Sequence, residues 1–231
     1  MRTLGIGASE RVTIGAAHHC SAALAPARRA DPAVRAFDVF IAVLAIAFAA
    51  PLLIGVALAI KLATKGPLLF KHERIGLGGR RFRCLKFRTM VIDADQRLAE
   101  VLAADPVAKR EWEHGHKLRD DPRTTQVGDF LRTSSLDELP QLFNVLRGEM
   151  SIVGPRPIVA EEVCRYGSRF VWYCSVRPGI TGFWQVSGRN DMSYRRRVAM
   201  DTVYAQRKSL GWDLKILALT VPAVLNGRGS Y

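Results

Sequence analysis

The chain has 231 residues, enough for one domain with a real core or a small domain with an appendage. Lys and Arg number 34 against 21 Asp and Glu, and the formal net charge of +13 narrows the partners to nucleic acid, anionic lipid or a phosphorylated substrate. The cysteines (Cys20, Cys84, Cys164, Cys174) form no CxxC pair and the histidines (His18, His19, His72, His114, His116) no ligand spacing, which argues against a disulfide framework or zinc site and for free thiols.

Residues 1–34 are Ala-rich with scattered arginines and read as a mobile tail. Residues 39–60 follow, 22 residues without a charge, bounded by Asp38 and Lys61. As a helix this segment runs about 33 Å, close to the hydrocarbon thickness of a bilayer. A signal peptide has a shorter apolar core nearer the start of the chain, and a buried core helix keeps a polar face, so membrane insertion of 35–66 is the expectation. Pro51 removes a hydrogen bond from the middle of the helix and predicts a kink. Both flanks are basic (Arg28, Arg29 and Arg35 before; Lys61, Lys65 and Lys71 after), so a kinked helix that enters and leaves on one face fits the positive-inside rule better than a straight span.

Residues 67–90 read as two extended runs joined by a turn at Gly76, Gly78 and Gly79, where a tight hairpin needs positive φ. The basic cluster Arg80, Arg81, Arg83, Lys86 and Arg88 lies against anionic headgroups or an anionic ligand, or is simply a solvated face. Apolar residues at Leu98, Val101, Leu102 and Val107 predict an amphipathic helix over 94–117, interrupted at Pro106. An Asp120-Asp121-Pro122 turn follows. Ser135-Leu136-Asp137-Glu138 matches a capping box, and Pro140 competes with it by moving the helix start to itself. Either way Asp137 and Glu138 stand at a helix N-terminus, where acids also offset the helix dipole with no other role. Eighteen residues on, Pro155 and Pro157 hold Arg156 extended, a stiff mount for bidentate phosphate contact. Residues 176–191, with Arg177, Trp184 and Arg189, either wrap a base or sugar ring or form turns over a core. The stretch from Ile216 is too short to span, is broken by Pro222, and suits a buried or interfacial helix.

From about residue 35 to 231 the chain resembles the bacterial sugar transferases, monotopic polyprenyl-phosphate phosphoglycosyl transferases of the exopolysaccharide-initiating type. The resemblance rests on an ordered series of blocks: RAFD, KFRTM, DFLRTSSLDELPQLFNVLRGEMSIVGPRP and RPGITGFWQVSGRN. It implies an α+β, mainly helical fold in which a kinked, re-entrant N-terminal membrane helix carries a small cytoplasmic catalytic lobe, residues 67–231, with a short hairpin and interfacial helices. The implied reaction moves galactose- or glucose-1-phosphate from a UDP-hexose to undecaprenyl phosphate at the bacterial inner membrane and releases UMP, as the first step of exopolysaccharide synthesis. On this resemblance Asp137 is the nucleophile that forms an aspartyl phosphosugar, and Asp137 and Glu138 hold magnesium (Mg²⁺). Arg156, Arg132, Lys86 and Arg88 are the implied phosphate-binding residues. Such a reaction suits two anionic reactants, which must be neutralised to meet. Ala50 departs from the family, where many members carry Ser before the kinking proline; its hydroxyl would bond back to the helix. The alternatives are a membrane-anchored basic binding protein and a glycosyl transferase that releases UDP. No nucleic-acid motif is present, so no nucleic acid is expected as a partner. Nothing in the pattern excludes a homo-oligomer.

Overall fold

The computed structural model describes residues 31–115, 118, 121–188 and 192–225. The first 30 residues of the expected tail, Arg189 and Asp120 lie outside them. Among the described residues ten α-helices and four short strands make a mainly helical α+β fold.

Helix α1, Pro32–Ala63, starts where Pro is best tolerated, at the first helical position, and Asp31 caps it by accepting a bond from Ala33 N at 2.9 Å. Residues 32–34, expected in the tail, are therefore helical. The helix continues through Pro51. Its 18-residue apolar window has mean hydropathy 2.8 and is only 11% buried, which rules out a core helix. The buried residues fall in two runs of i, i+4 steps, Val34, Asp38 and Ala42 near the start and Val56 and Ile60 near the end. Large apolar residues elsewhere on α1 face outward, among them Phe48, 89% exposed.

Strands β1 (Leu69–Ile75) and β2 (Arg81–Phe87) form the expected antiparallel hairpin, with Phe70 opposite Lys86 and Arg74 opposite Phe82. Gly78 and Gly79 take the positive φ of the turn; Gly76 does not, at −127°. The amphipathic segment breaks at Asp105 into α2 (Ala94–Ala104) and α3 (Pro106–Gly115), because Pro106 starts a helix better than it continues one. Of the expected turn, Asp121 is bonded to Arg123 at 2.6 and 2.7 Å.

Helices α4 (Gln126–Thr133) and α5 (Gln141–Arg147) flank the dyad. Strand β3 (Ser151–Val153) then pairs in parallel with β4 (Gly179–Thr181). Two short helices, α6 (Val163–Tyr166) and α7 (Phe170–Cys174), lie between them. After α8 (Phe183–Val186), the long α9 (Tyr194–Arg207) and α10 (Leu210–Leu225) close the lobe.

The central core joins Ala42 of α1 with Phe82, Leu142, Val145, Met150, Ile152, Tyr204 and Ile216. A second cluster puts Val56 and Ile60 of α1 on Phe87 and Leu131. Each such side chain, fully buried, contributes roughly 1.5–3 kcal/mol. Asn144, fully buried, staples α5 to β2: its Oδ1 accepts from Leu85 N at 2.9 Å and its Nδ2 donates to Arg83 O at 2.8 Å. That staple fixes the distance between the start of α5 and the side chains of β2.

Candidate active site

Asp137 and Glu138 share one 3-10 turn, Leu136–Glu138, immediately before α5. The capping box expected at Ser135 does not form. Ser135 makes no side-chain cap bond and sits in the left-handed region at φ +58°, the only non-glycine with positive φ among the described residues. Pro140 is the cause: it cannot donate inside a helix, so α5 starts after it and the dyad is left in a separate, tighter turn. A left-handed serine costs roughly 1–2 kcal/mol, and that strain sits next to the two carboxylates.

Lys86, projecting from β2, holds both acids. Its Nζ donates to Glu138 Oε1 at 2.6 Å and lies 3.5 Å from Asp137 Oδ2. The two carboxylates are pushed in opposite directions. Burial raises Asp137, the Glu138 charge adds to that, and Lys86 opposes it. Burial also acts to raise Glu138, but Lys86 in direct contact, with Arg156 and Arg74 behind it, outweighs burial and holds Glu138 below the usual carboxylate range. Adjacent acids separated in this way can take different roles.

Arg156 is exposed on its two-proline loop and makes no hydrogen bond or ion pair among the described residues. The loop beneath it is fixed. Gly154 N donates to Thr181 O at 2.9 Å and Gly179 N to Pro155 O at 2.8 Å. A Cβ on Gly154 would lie 2.4 Å from Arg177 O, so only glycine lets these two chains approach so closely. Arg74 Nη1 donates to Pro157 O at 3.2 Å, and its Nη2 meets His72 Nδ1 at 3.1 Å. A guanidinium has only donors, so His72 Nδ1 accepts and the ring proton sits on Nε2. Burial, then the charges of Arg74 and Lys86, lower His72 and favour this neutral form. Burial and the neighbouring Arg156 likewise lower Arg74.

Arg132, from α4, donates to Thr89 Oγ1 at 3.0 Å and its charge bears on Asp137. Arg88 takes a different partner: its Nη2 donates to Thr64 Oγ1 at 2.6 Å, just after α1, and its buried Nε and Nη1 have no hydrogen-bond partner among the described residues. The fold thus brings Lys86, Arg132 and Arg156 to the dyad and ties Arg88 to the end of the membrane-type helix. Arg74 and His72 complete the basic wall and escaped the sequence reading. Their signal was the period-2 spacing of HER on a strand facing the strand of Lys86. Of the 176–191 loop, Arg177 bonds Gly148 O at 2.8 Å and Trp184 is buried beneath Arg197, so these residues form turns over a core. Among the described residues no three His, Cys, Asp or Glu side chains come together as a metal cluster. Two adjacent carboxylates remain, and magnesium is commonly held by one or two carboxylates with substrate phosphates completing its shell.

The family model described as bacterial sugar transferase matches residues 29–227. The chain is 52% identical over 197 residues to "Exopolysaccharide production protein ExoY" of Sinorhizobium fredii, covering 85% of this chain and 87% of that protein. It is 47% identical over 197 residues to "Undecaprenyl-phosphate galactose phosphotransferase" of Salmonella typhimurium, covering 85% of this chain and 41% of that one. Against "UDP-glucose:undecaprenyl-phosphate glucose-1-phosphate transferase" of Caulobacter vibrioides it is 43% identical over 205 residues, covering 85% and 71%. With the matched model spanning nearly the whole described lobe and its dyad, the chain belongs to the bacterial sugar transferases.

Proposed function

We propose that the protein transfers a hexose-1-phosphate, galactose or glucose, from a UDP-sugar to undecaprenyl phosphate, as the first step of exopolysaccharide synthesis. The observation that carries this reading is the unequal pair. Asp137 is buried, farther from Lys86 and raised, while Glu138 is in contact with Lys86 and lowered. A less neutralised, more basic carboxylate is the better nucleophile; a permanently ionised one beside it suits cation holding.

An oxygen of Asp137 attacks the β-phosphorus of the UDP-sugar. The bond from that phosphorus to the bridging oxygen breaks, and UMP leaves with the oxygen and its electron pair. An oxygen of undecaprenyl phosphate then attacks the same phosphorus, the bond to Asp137 breaks, and the carboxylate is restored. Arg156, with its guanidinium free among the described residues, its neighbour Arg74, and Arg132 on the Asp137 side neutralise the phosphates as they approach. Arg74 also holds the arginine loop through Pro157 O. Asp137 and Glu138 would hold Mg²⁺ between enzyme and diphosphate, where a divalent cation supplies charge neutralisation. Lys86 keeps the two acids ionised side by side. Helix α1 sits in the bacterial inner membrane, enters and leaves on the cytoplasmic face, and delivers the lipid acceptor to the lobe.

The test is nucleotide release from purified protein given undecaprenyl phosphate, Mg²⁺ and a panel of UDP-hexoses. UMP release beyond one equivalent per chain is expected only with the lipid present, with Asp137→Asn lowering turnover by at least about 1000-fold while membrane association persists. Release of UDP instead of UMP would overturn phosphosugar transfer, and full activity of Asp137→Asn would overturn the nucleophile.

A further inference from the structure

Two recesses meet at Arg35, on the first turns of α1. One is a partly enclosed cavity of about 210 Å³ lined by Arg35, Asp38, Ser151, Arg177 and Lys208, with Asp31 at its exposed rim. The other is an open groove lined by Arg35, Ala36, Val39, Phe40 and Val43. Neither belongs to the dyad, which stands at the opposite end of α5: Arg35 donates to the carbonyls of Val145 and Leu146 at 2.7 and 3.0 Å, at the C-terminal end of that helix.

Around the cavity Arg35, Arg177 and Lys208 face Asp38 and, at the rim, Asp31. Lys208 is matched by Asp213 at 3.7 Å. Asp38 accepts from Ser151 Oγ and Ile152 N, each at 2.9 Å. Arg35 and Arg177 bond only neutral carbonyls among the described residues, the latter through Nε to Gly148 O. Burial, and after it the charge of Arg35, lowers Arg177 while Asp38 opposes them, so two guanidiniums bear on one space beside one buried carboxylate. Asp31 is exposed and already caps α1.

The position of the cavity along α1 points to the occupant. The outward apolar face begins at Phe40, 65% exposed, and continues through Val43 and Leu44. Phe40 lies five residues from Arg35, about 7.5 Å along the helix. A headgroup layer is about 5–7 Å deep on each side of the hydrocarbon. The cavity that holds the two guanidiniums is thus one headgroup layer from the first lipid-facing side chain, and the groove leads from one to the other. We propose that the two recesses bind one membrane phospholipid, its phosphodiester between Arg35 and Arg177 and an acyl chain along Val39, Phe40 and Val43. The inference rests on α1 lying in the membrane, as in the reading above. Such a lipid bridges α1 and the turn at Arg177 and locks the helix entry to the lobe.

The experiment uses the full chain, purified in detergent and stripped of lipid, then titrated with dioleoyl phosphatidylglycerol while bound lipid is counted by native mass spectrometry. One lipid per chain is expected. Arg177→Gln should weaken it roughly tenfold, as should Phe40→Ser combined with Val43→Ser, whose side chains are exposed and leave the core intact. Dioleoylglycerol, with the same chains and no phosphate, should not bind, and inorganic phosphate should compete only weakly. Equal binding by wild type and by the folded Phe40/Val43 variant would overturn the proposal, as would equal binding of dioleoylglycerol. Competition by inorganic phosphate at the affinity of the phospholipid would reduce the site to a free-phosphate site and overturn it too. UMP release measured on the same samples separates a failure here from a failure of the catalytic reading.

Discussion

Lys86 divides one positive charge unequally between two carboxylates, and this fixes how the site responds to pH. It is the strongest of the causes that lower either acid. Without it only Arg132 at Asp137, and Arg156 and Arg74 at Glu138, still oppose burial, so both acids rise and Asp137, already raised, rises further. A nucleophile must be ionised, so activity falls as pH drops through the Asp137 pKa. Lys86→Gln should therefore move the acid limb of kcat/KM to higher pH, besides lowering the plateau. An unmoved acid limb would show that the limb belongs to another group. Sequence exposed Asp137, Glu138 and Arg156 because local chain chemistry marks them: two acids before a proline, one arginine between two. Arg74, His72 and Asp38 carry no such mark. Asp38 meets Ser151 across 113 residues and Arg74 meets Pro157 across 83, and no local pattern encodes those partners.

At the scale of elements, a local rule lost to a neighbouring one at the dyad. The Ser-x-x-Glu signal was present, but Pro140 claimed the helix start and left Ser135 left-handed. The hairpin and the break at Pro106 were legible because glycine and proline act on their own backbone. The packing of α9 was not. There Asp201, 2% exposed, accepts from Tyr166 OH at 2.7 Å, and its Oδ1 has no partner among the described residues. Burial pushes this carboxyl up to about 7, against a partial pull down from the Tyr166 bond. A raised carboxyl binds its proton more tightly folded than unfolded. Its stabilising contribution is full below about pH 4, falls as pH rises, and is lost once pH passes about 7. Asn at this position keeps the acceptor for Tyr166 and does not titrate. The stability of Asp201→Asn relative to wild type should therefore grow between pH 4 and 7, by up to a few kcal/mol, and level off above. A difference in melting temperature that stays constant over that range would refute the account.

For the whole molecule, the question is how a helix long enough to cross a bilayer serves a lobe that it touches at both ends. Helix α1 would span about 48 Å end to end if straight. Near its start, Arg35 bonds α5 and Asp38 bonds β3; just past its end, Thr64 accepts from Arg88, next to β2. Asn144 staples α5 to β2, so all these anchors belong to one body. Between the contact zones, residues 47–52 contribute nothing buried, and Pro51 lies there. A crossing helix would put one set of anchors on the far side of the membrane, parting charged side chains such as Arg35 and Asp38 from their backbone partners at a cost of several kcal/mol for each unsatisfied group. Entry and return on one face costs none of this, and it agrees with the basic residues on both flanks. In a background with Cys20 and Cys164 replaced by serine, single cysteines at Ala33 and Lys65, both exposed, should behave alike. A membrane-impermeant maleimide should reach neither in intact spheroplasts and both once the membrane is opened. Labelling of Ala33→Cys from outside with Lys65→Cys protected would establish a span, and the contacts of Arg35 with α5 would then have to break in the membrane.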